Sequence, residues 1–173
     1  VAGERAGPVV VHEIPEVLEI LKDHGFNWRI WPDFSRIPSV EEPFMRYAPI
    51  ALGETLQLAD ANGAQREIMP IPAHHVVPAT GFHLRGPLGS LLFSGDTNSH
   101  PALWKLAEQI PSLLHLVVEC SFANDQIKVA NASRHYYTAE LAADLAGLRA
   151  GPAVWITHLK PGGEAAIMAE LHA

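Results

Sequence analysis

The sequence predicts an α/β fold in which a sheet is covered by helices, and three observations carry that prediction. In the C-terminal half, apolar strand-like runs alternate with stretches of helical periodicity, the pattern of a sheet with helices laid on it. In the middle, several short β-type runs are separated by turn signals at Asn62-Gly63, Pro78 and Gly86-Pro87-Leu88-Gly89. The 173 residues are 48% hydrophobic and 18% charged, a balance that lets one domain bury a sizeable core. No repeat, low-complexity stretch or linker divides the chain, so a single domain over residues 1–173 is expected.

From Glu13 to Asp23, Ile14, Val17, Leu18 and Leu21 recur at helical spacing. Pro15 falls in the first turn, where its missing amide costs nothing, and Gly25 lies just past the end. Residues 26–43 are rich in aromatics and prolines, with Trp28, Trp31, Phe34, Pro32, Pro38 and Pro43, and read as an irregular loop or short extended pieces. Strands are expected at Ile50 to Leu58, Glu67 to Ile71, Thr80 to Leu84 and Ser90 to Ser94. After Ser99-His100-Pro101 comes an amphipathic helix to Ile110, then a buried strand from Leu114 to Glu119. A second such unit follows: a helix from about Thr138 to Leu148 with Leu141, Leu145 and Leu148 on one face, then Gly151-Pro152 and a strand from Ala153 to Thr157. A short last helix spans Gly163 to His172.

Composition narrows the function classes. The net charge of −7 gives no sign of the broad basic surface that holds long nucleic acid, whereas a small anionic ligand stays compatible with it. One cysteine, Cys120, rules out an intrachain disulfide or a cysteine zinc knuckle. The longest apolar stretch, Leu113 to Val118, is interrupted by His115 and falls far short of the roughly 20 residues of a membrane span, so no membrane partner is expected. The first residues, Val-Ala-Gly-Glu-Arg, lack an initiator methionine and a signal-peptide layout, which reads as a start inside a longer protein. A cytoplasmic location is favoured, with the periplasm left open. Ten histidines exceed ordinary structural need and hint at a metal.

In open sheets ligands bind beyond strand ends, so polar residues just past a predicted strand are informative. Four places qualify: His74-His75, Asp96, Glu119-Cys120-Ser121 and His158. Singly, each has an ordinary explanation as a turn, a cap or a half-buried hydrogen-bonded side chain. Jointly, two histidines and an aspartate at strand ends supply the nitrogen and oxygen donors of a zinc or manganese centre. Cys120, behind an apolar strand, reads as a small core residue rather than a nucleophile. The Trp28, Trp31 and Phe34 cluster has two readings, packing down as a loop core or stacking on a purine.

The segments His75-Val-Val-Pro-Ala-Thr-Gly81-Phe82, Phe93-Ser-Gly-Asp96-Thr97, Val118-Glu119-Cys120-Ser121-Phe122 and Ile156-Thr157-His158-Leu159-Lys160-Pro161 closely resemble the metallo-β-lactamase superfamily. Together with Arg134-His135, Thr138 and the stretch Phe26 to Phe34, they are most similar to the class II cyclic-nucleotide phosphodiesterases. The resemblance implies an αββα four-layer sandwich and a site holding two divalent metals, zinc or manganese, that clamp a phosphodiester. It implies that His75 ligates the first metal, that Asp96 bridges both and that His158 ligates the second. His135 would serve at the leaving oxygen or as a phosphate hydrogen-bond donor, with Thr138 beside it as a substrate contact. Thr97 and Glu119 would orient the ligands through hydrogen bonds. His74 is read as a neighbour of the site.

The superfamily's His-x-His-x-Asp-His loop does not occur among the 173 residues, so the sandwich is expected to be incomplete at its N-terminal side. Three ligands leave each metal with at most two protein donors, below the four that zinc normally takes. The expectation is therefore a phosphodiesterase of 3',5'-cyclic nucleotides (cAMP or cGMP) in a full-length parent, inactive as this chain alone and self-associating. The alternatives are a tRNA-processing nuclease of the same superfamily, which the acidic charge and the lack of a basic arm disfavour, and a non-catalytic assembly module.

Overall fold

The structure is a computed structural model that describes residues 7–59, 62–148 and 151–172. By its contacts the chain falls into two compact units, Val1–Glu54 and Thr55–Ala173.

The first unit opens on β1 (Val9–Glu13), a strand that the sequence pattern does not announce. It pairs in parallel with β2 (Met45–Pro49), Val9 opposite Met45 and Glu13 opposite Pro49. The predicted helix is shorter than Glu13–Asp23: α1 spans Pro15–Ile20, with Pro15 in its first turn. Residues 21–25 then wind more widely, and the Phe26 amide donates to the Leu21 carbonyl five residues back at 2.8 Å. The aromatic stretch is an irregular loop, as its prolines require. Asn27 accepts the amides of Arg29 at 3.0 Å and Ile30 at 3.3 Å, and Phe34 packs edge-on against Phe26. Trp28 and Trp31 are each 59% exposed. The predicted strand over Ile50–Leu58 is corrected. A turn at residues 51–54 interrupts it, where the Glu54 amide bonds the Ala51 carbonyl and the Ala51 amide bonds the Glu54 carboxylate.

The second unit is built on a six-stranded sheet in sequential order: β3 (Leu56–Ala59), β4 (Gln65–Pro72), β5 (Thr80–Gly86), β6 (Gly89–Phe93), β7 (Leu113–Glu119) and β8 (Ala153–Thr157). Pairing is antiparallel from β3 to β6 and parallel from β6 to β8. It follows that β4, β6, β7 and β8 run the same way and end at one edge of the sheet. Parallel neighbours require crossovers, and these are α2 (Pro101–Gln109) between β6 and β7, then α3 (Ile127–Ser133) and α4 (Thr138–Gly147) between β7 and β8. α3 goes beyond the predicted elements; its Ile-Lys-Val-Ala-Asn-Ala-Ser sequence mixes residues of middling helix propensity. The chain closes with α5 (Glu164–Leu171).

One sheet face carries the core. Ile71, Leu92, Leu116 and Val118 pack with Leu103 and Ala107 of α2, Leu141 of α4 and Ile167 of α5, nearly all fully buried. Side chains at i and i+2 on a strand share a face, so Leu116 and Val118 face the helices while Glu119 takes the other side at the strand's end. Among the described residues no helix is long and apolar enough to cross a membrane.

Candidate metal centre

The residues singled out by sequence lie where four co-directional strands end. His75 follows β4, Asp96 follows β6, Glu119 ends β7 and His158 follows β8. All belong to the second unit. Two of these bends rest on left-handed backbone. Gly95 has φ 66°, and a Cβ there would meet the Thr80 carbonyl oxygen at 2.2 Å. His158 itself sits at φ 59°, an uncommon conformation for a residue with a side chain. Glycine takes this angle without strain, whereas the His158 backbone is strained in the way of turns that the surrounding fold holds in place.

The side chains converge. Candidate ligand atoms of His75, Asp96 and His135 all lie within 4.8 Å of one another, as do those of Glu119, His135 and His158. His135 is the shared member, its ring 4.7 Å from that of His75 and 4.9 Å from that of His158. His158 Nδ1 stands 3.3 Å from Asp96 Oδ1, a spacing that two donors of one ion can adopt. Imidazole nitrogens with a carboxylate form a donor set suited to zinc or manganese, so the residues present fit such a metal.

Glu119 organises the floor of the cluster. Its carboxyl is fully buried and accepts the Thr97 amide at 2.8 Å and the Ser121 hydroxyl at 3.0 Å. His135 Nδ1 lies 2.6 Å from Glu119 Oε1. Burial pushes the Glu119 carboxyl up to about 7, against the pull of those two donors. Burial, followed by the charges of Lys160 and His75, pushes His135 below the ordinary imidazole range.

Thr97, expected to orient ligands, is buried beside them: its amide donates to Glu119 at 2.8 Å and its hydroxyl accepts the His74 amide at 2.8 Å. His74 turns to Asn98, its Nδ1 2.6 Å from Asn98 Oδ1, outside the cluster. His75 is tied down by Arg134, whose guanidinium donates to the His75 carbonyl at 3.0 Å. Thr138 is buried, and its hydroxyl donates to the Glu170 carboxylate on α5 rather than reaching the histidines. Cys120 is fully buried and burial pushes its thiol up to about 12, as befits a core residue. Two further contributors have no role assigned from sequence. Ser121 bridges Glu119 and His158, its Oγ 3.0 Å from His158 Nδ1, and the Lys160 ammonium donates to His158 Nε2 at 3.2 Å. The signal was present, since both lie inside the quoted Glu-Cys-Ser-Phe and Thr-His-Leu-Lys-Pro segments.

No family model matches the sequence, and no curated protein does. Solved structures do. The metallo-β-lactamase fold protein YhfI from Bacillus subtilis superposes with a TM-score of 0.68 at 14% identity, covering 97% of this chain and 60% of that one. Human tRNase Z, short form, gives 0.57 at 14% identity over 89% and 61%. Zinc-bound PqqB from Methylobacterium extorquens gives 0.55 at 14% identity over 98% and 61%. The chain has the metallo-β-lactamase fold, and it spans about 60% of the length of these structures.

Proposed function

We propose that this chain carries the metal- and phosphate-binding part of a metal-dependent phosphodiesterase acting on 3',5'-cyclic nucleotides. The observation that carries the reading is the Glu119–His135 pair, 2.6 Å apart, whose His135 belongs both to the group with His75 and Asp96 and to the group with His158. His75, Asp96 and His158 would hold two divalent metals, zinc or manganese, with Asp96 shared. Such ions, when bound, polarise the phosphoryl oxygens and lower the pKa of water.

The chain's own residues supply the rest. His135 points Nδ1 at Glu119, which leaves Nε2 to donate a proton to the 3' oxygen as the P–O3' bond breaks. Glu119 passes its proton to Nδ1 in the same step, so His135 stays neutral and the carboxyl becomes a carboxylate, a task suited to a group pushed up to about 7. Ser121 and the Thr97 amide fix the Glu119 oxygens, so the pair keeps one geometry through the step. A cytoplasmic location and self-association belong to the same reading.

The test combines elemental analysis for bound metal with hydrolysis of cyclic AMP and of a tRNA precursor, each with and without added zinc or manganese. Metal uptake alone supports the metal-site part of the proposal, since three ligands leave each metal short of four donors, and cyclic AMP turnover supports the phosphodiesterase part. Cleavage of the tRNA precursor alone would replace it with the nuclease reading, which the net charge of −7 makes the weaker one. Absence of both metal and turnover would leave a non-catalytic module.

A further inference from the structure

Lys160 places a cation against the histidine cluster. Its side chain is half-buried in the turn after β8, where the Gly163 amide bonds the Lys160 carbonyl at 2.9 Å. The ammonium lies 3.2 Å from His158 Nε2 and 5.8 Å from the centroid of the Phe122 ring, which is itself buried. Among the described residues, no carboxylate pairs with this ammonium; the ion pairs near it are His135 with Glu119 and His158 with Asp96. A half-buried ammonium held against an imidazole and an aromatic ring, and paired with no described carboxylate, keeps its charge free for another partner.

The donors can be counted. An ammonium carries three N–H groups and no acceptor. One goes to His158 Nε2, which leaves two paired with no carboxylate among the described residues. The Phe122 ring face and the His158 contact fix where the charge sits, so less side-chain freedom is lost when an anion arrives. A compact, positioned ammonium with two spare donors matches the non-bridging oxygens of a phosphate group.

We propose that Lys160 binds the anionic oxygens of the substrate, taking a non-bridging oxygen of the phosphodiester and of the phosphate group left after hydrolysis. This rests on the phosphodiesterase reading and names the residue that would recognise the substrate's charge.

The experiment is calorimetric titration of inorganic phosphate into the zinc-loaded full chain, comparing the unsubstituted protein with Lys160→Gln and Lys160→Arg. Bound zinc and far-UV circular dichroism are measured on the same samples. The expected result is that Lys160→Gln weakens phosphate binding by about tenfold or more, as loss of a hydrogen bond to a charged group does. Zinc content is expected to be unchanged, and Lys160→Arg should recover most of the affinity. Equal affinity in Lys160→Gln would overturn the proposal. So would a loss of zinc parallel to the loss of phosphate, or a failure of Lys160→Arg to recover binding while its fold and zinc are intact, because Lys160 would then serve only to place His158. No phosphate binding by the unsubstituted chain also overturns it. Cyclic AMP turnover is assayed separately. Its absence beside a Lys160-dependent phosphate affinity counts against the phosphodiesterase reading and leaves the anion site standing.

Discussion

Glu119 couples the cluster to pH in a direction that can be worked out. Below its ordinary value of 4.5 the carboxyl is protonated in both folded and unfolded chains; between 4.5 and about 7 only the unfolded chain releases the proton. Its contribution to stability is therefore complete on the acid side and is lost as pH rises through that window, by about 3 kcal/mol at about 1.4 kcal/mol per unit. His135 acts oppositely: with its pKa lowered, its contribution is lost as pH falls below the ordinary 6.5. The two are in contact, so the difference between the unsubstituted chain and Glu119→Gln reports the carboxyl together with its effect on His135. In urea melts of the metal-free protein, the stability of the unsubstituted chain relative to Glu119→Gln should fall between about pH 4.5 and about pH 7.5. A difference that stays constant would show that the carboxylate is already ionised in the folded chain.

At the scale of elements, the bend from β6 to Asp96 is the sharpest test of how the fold places a ligand. Gly95 combines φ 66° with a Cβ position 2.2 Å from the Thr80 carbonyl oxygen, so neither the conformation nor the space admits a side chain. Gly95→Ala should cost about 2–4 kcal/mol in urea denaturation, because two backbone segments must separate. Gly147→Ala, at the end of α4 with nothing within 4 Å of its Cβ, is the control and should be neutral or gain up to about 1 kcal/mol. If both substitutions behave alike, the close approach at Gly95 is not a constraint on the fold. The strands and helices that frame this bend were legible because their periodicity is strong: β8 falls on the predicted Ala153–Thr157, and α2 and α4 end within a residue or so of expectation. β1, β2 and α3 were not, since each is short and α3 lacks an apolar stripe. The strand expected over residues 50–58 exists only from Leu56, as β3, because apolar composition cannot show that Glu54 folds back onto the Ala51 amide. The cluster itself was readable as residues beyond strand ends. The contacts made by Ser121, Lys160 and Thr138 depend on side-chain direction, which spacing alone does not convey.

For the whole molecule, the division into two units makes the effect of a metal uneven. Every member of the cluster lies in Thr55–Ala173, and the strand ends after β4, β6, β7 and β8 are the segments that a bound ion would join. Binding that favours the folded state stabilises it by about 2.7 kcal/mol when the free ion is a hundredfold above its dissociation constant. Local openings that separate those strand ends must forfeit that energy, whereas openings confined to β1 and β2 need not. Hydrogen exchange followed by mass spectrometry should therefore slow on adding zinc in peptides spanning residues 72–98, 117–136 and 155–160, and stay unchanged over residues 9–49. Asp96→Ala should abolish the difference, because it removes the carboxylate 3.3 Å from His158 Nδ1 and the sole acidic member of the His75 group. Protection spread evenly over both units, or surviving the loss of Asp96, would place the ion elsewhere and remove the basis for reading this sheet edge as a metal centre.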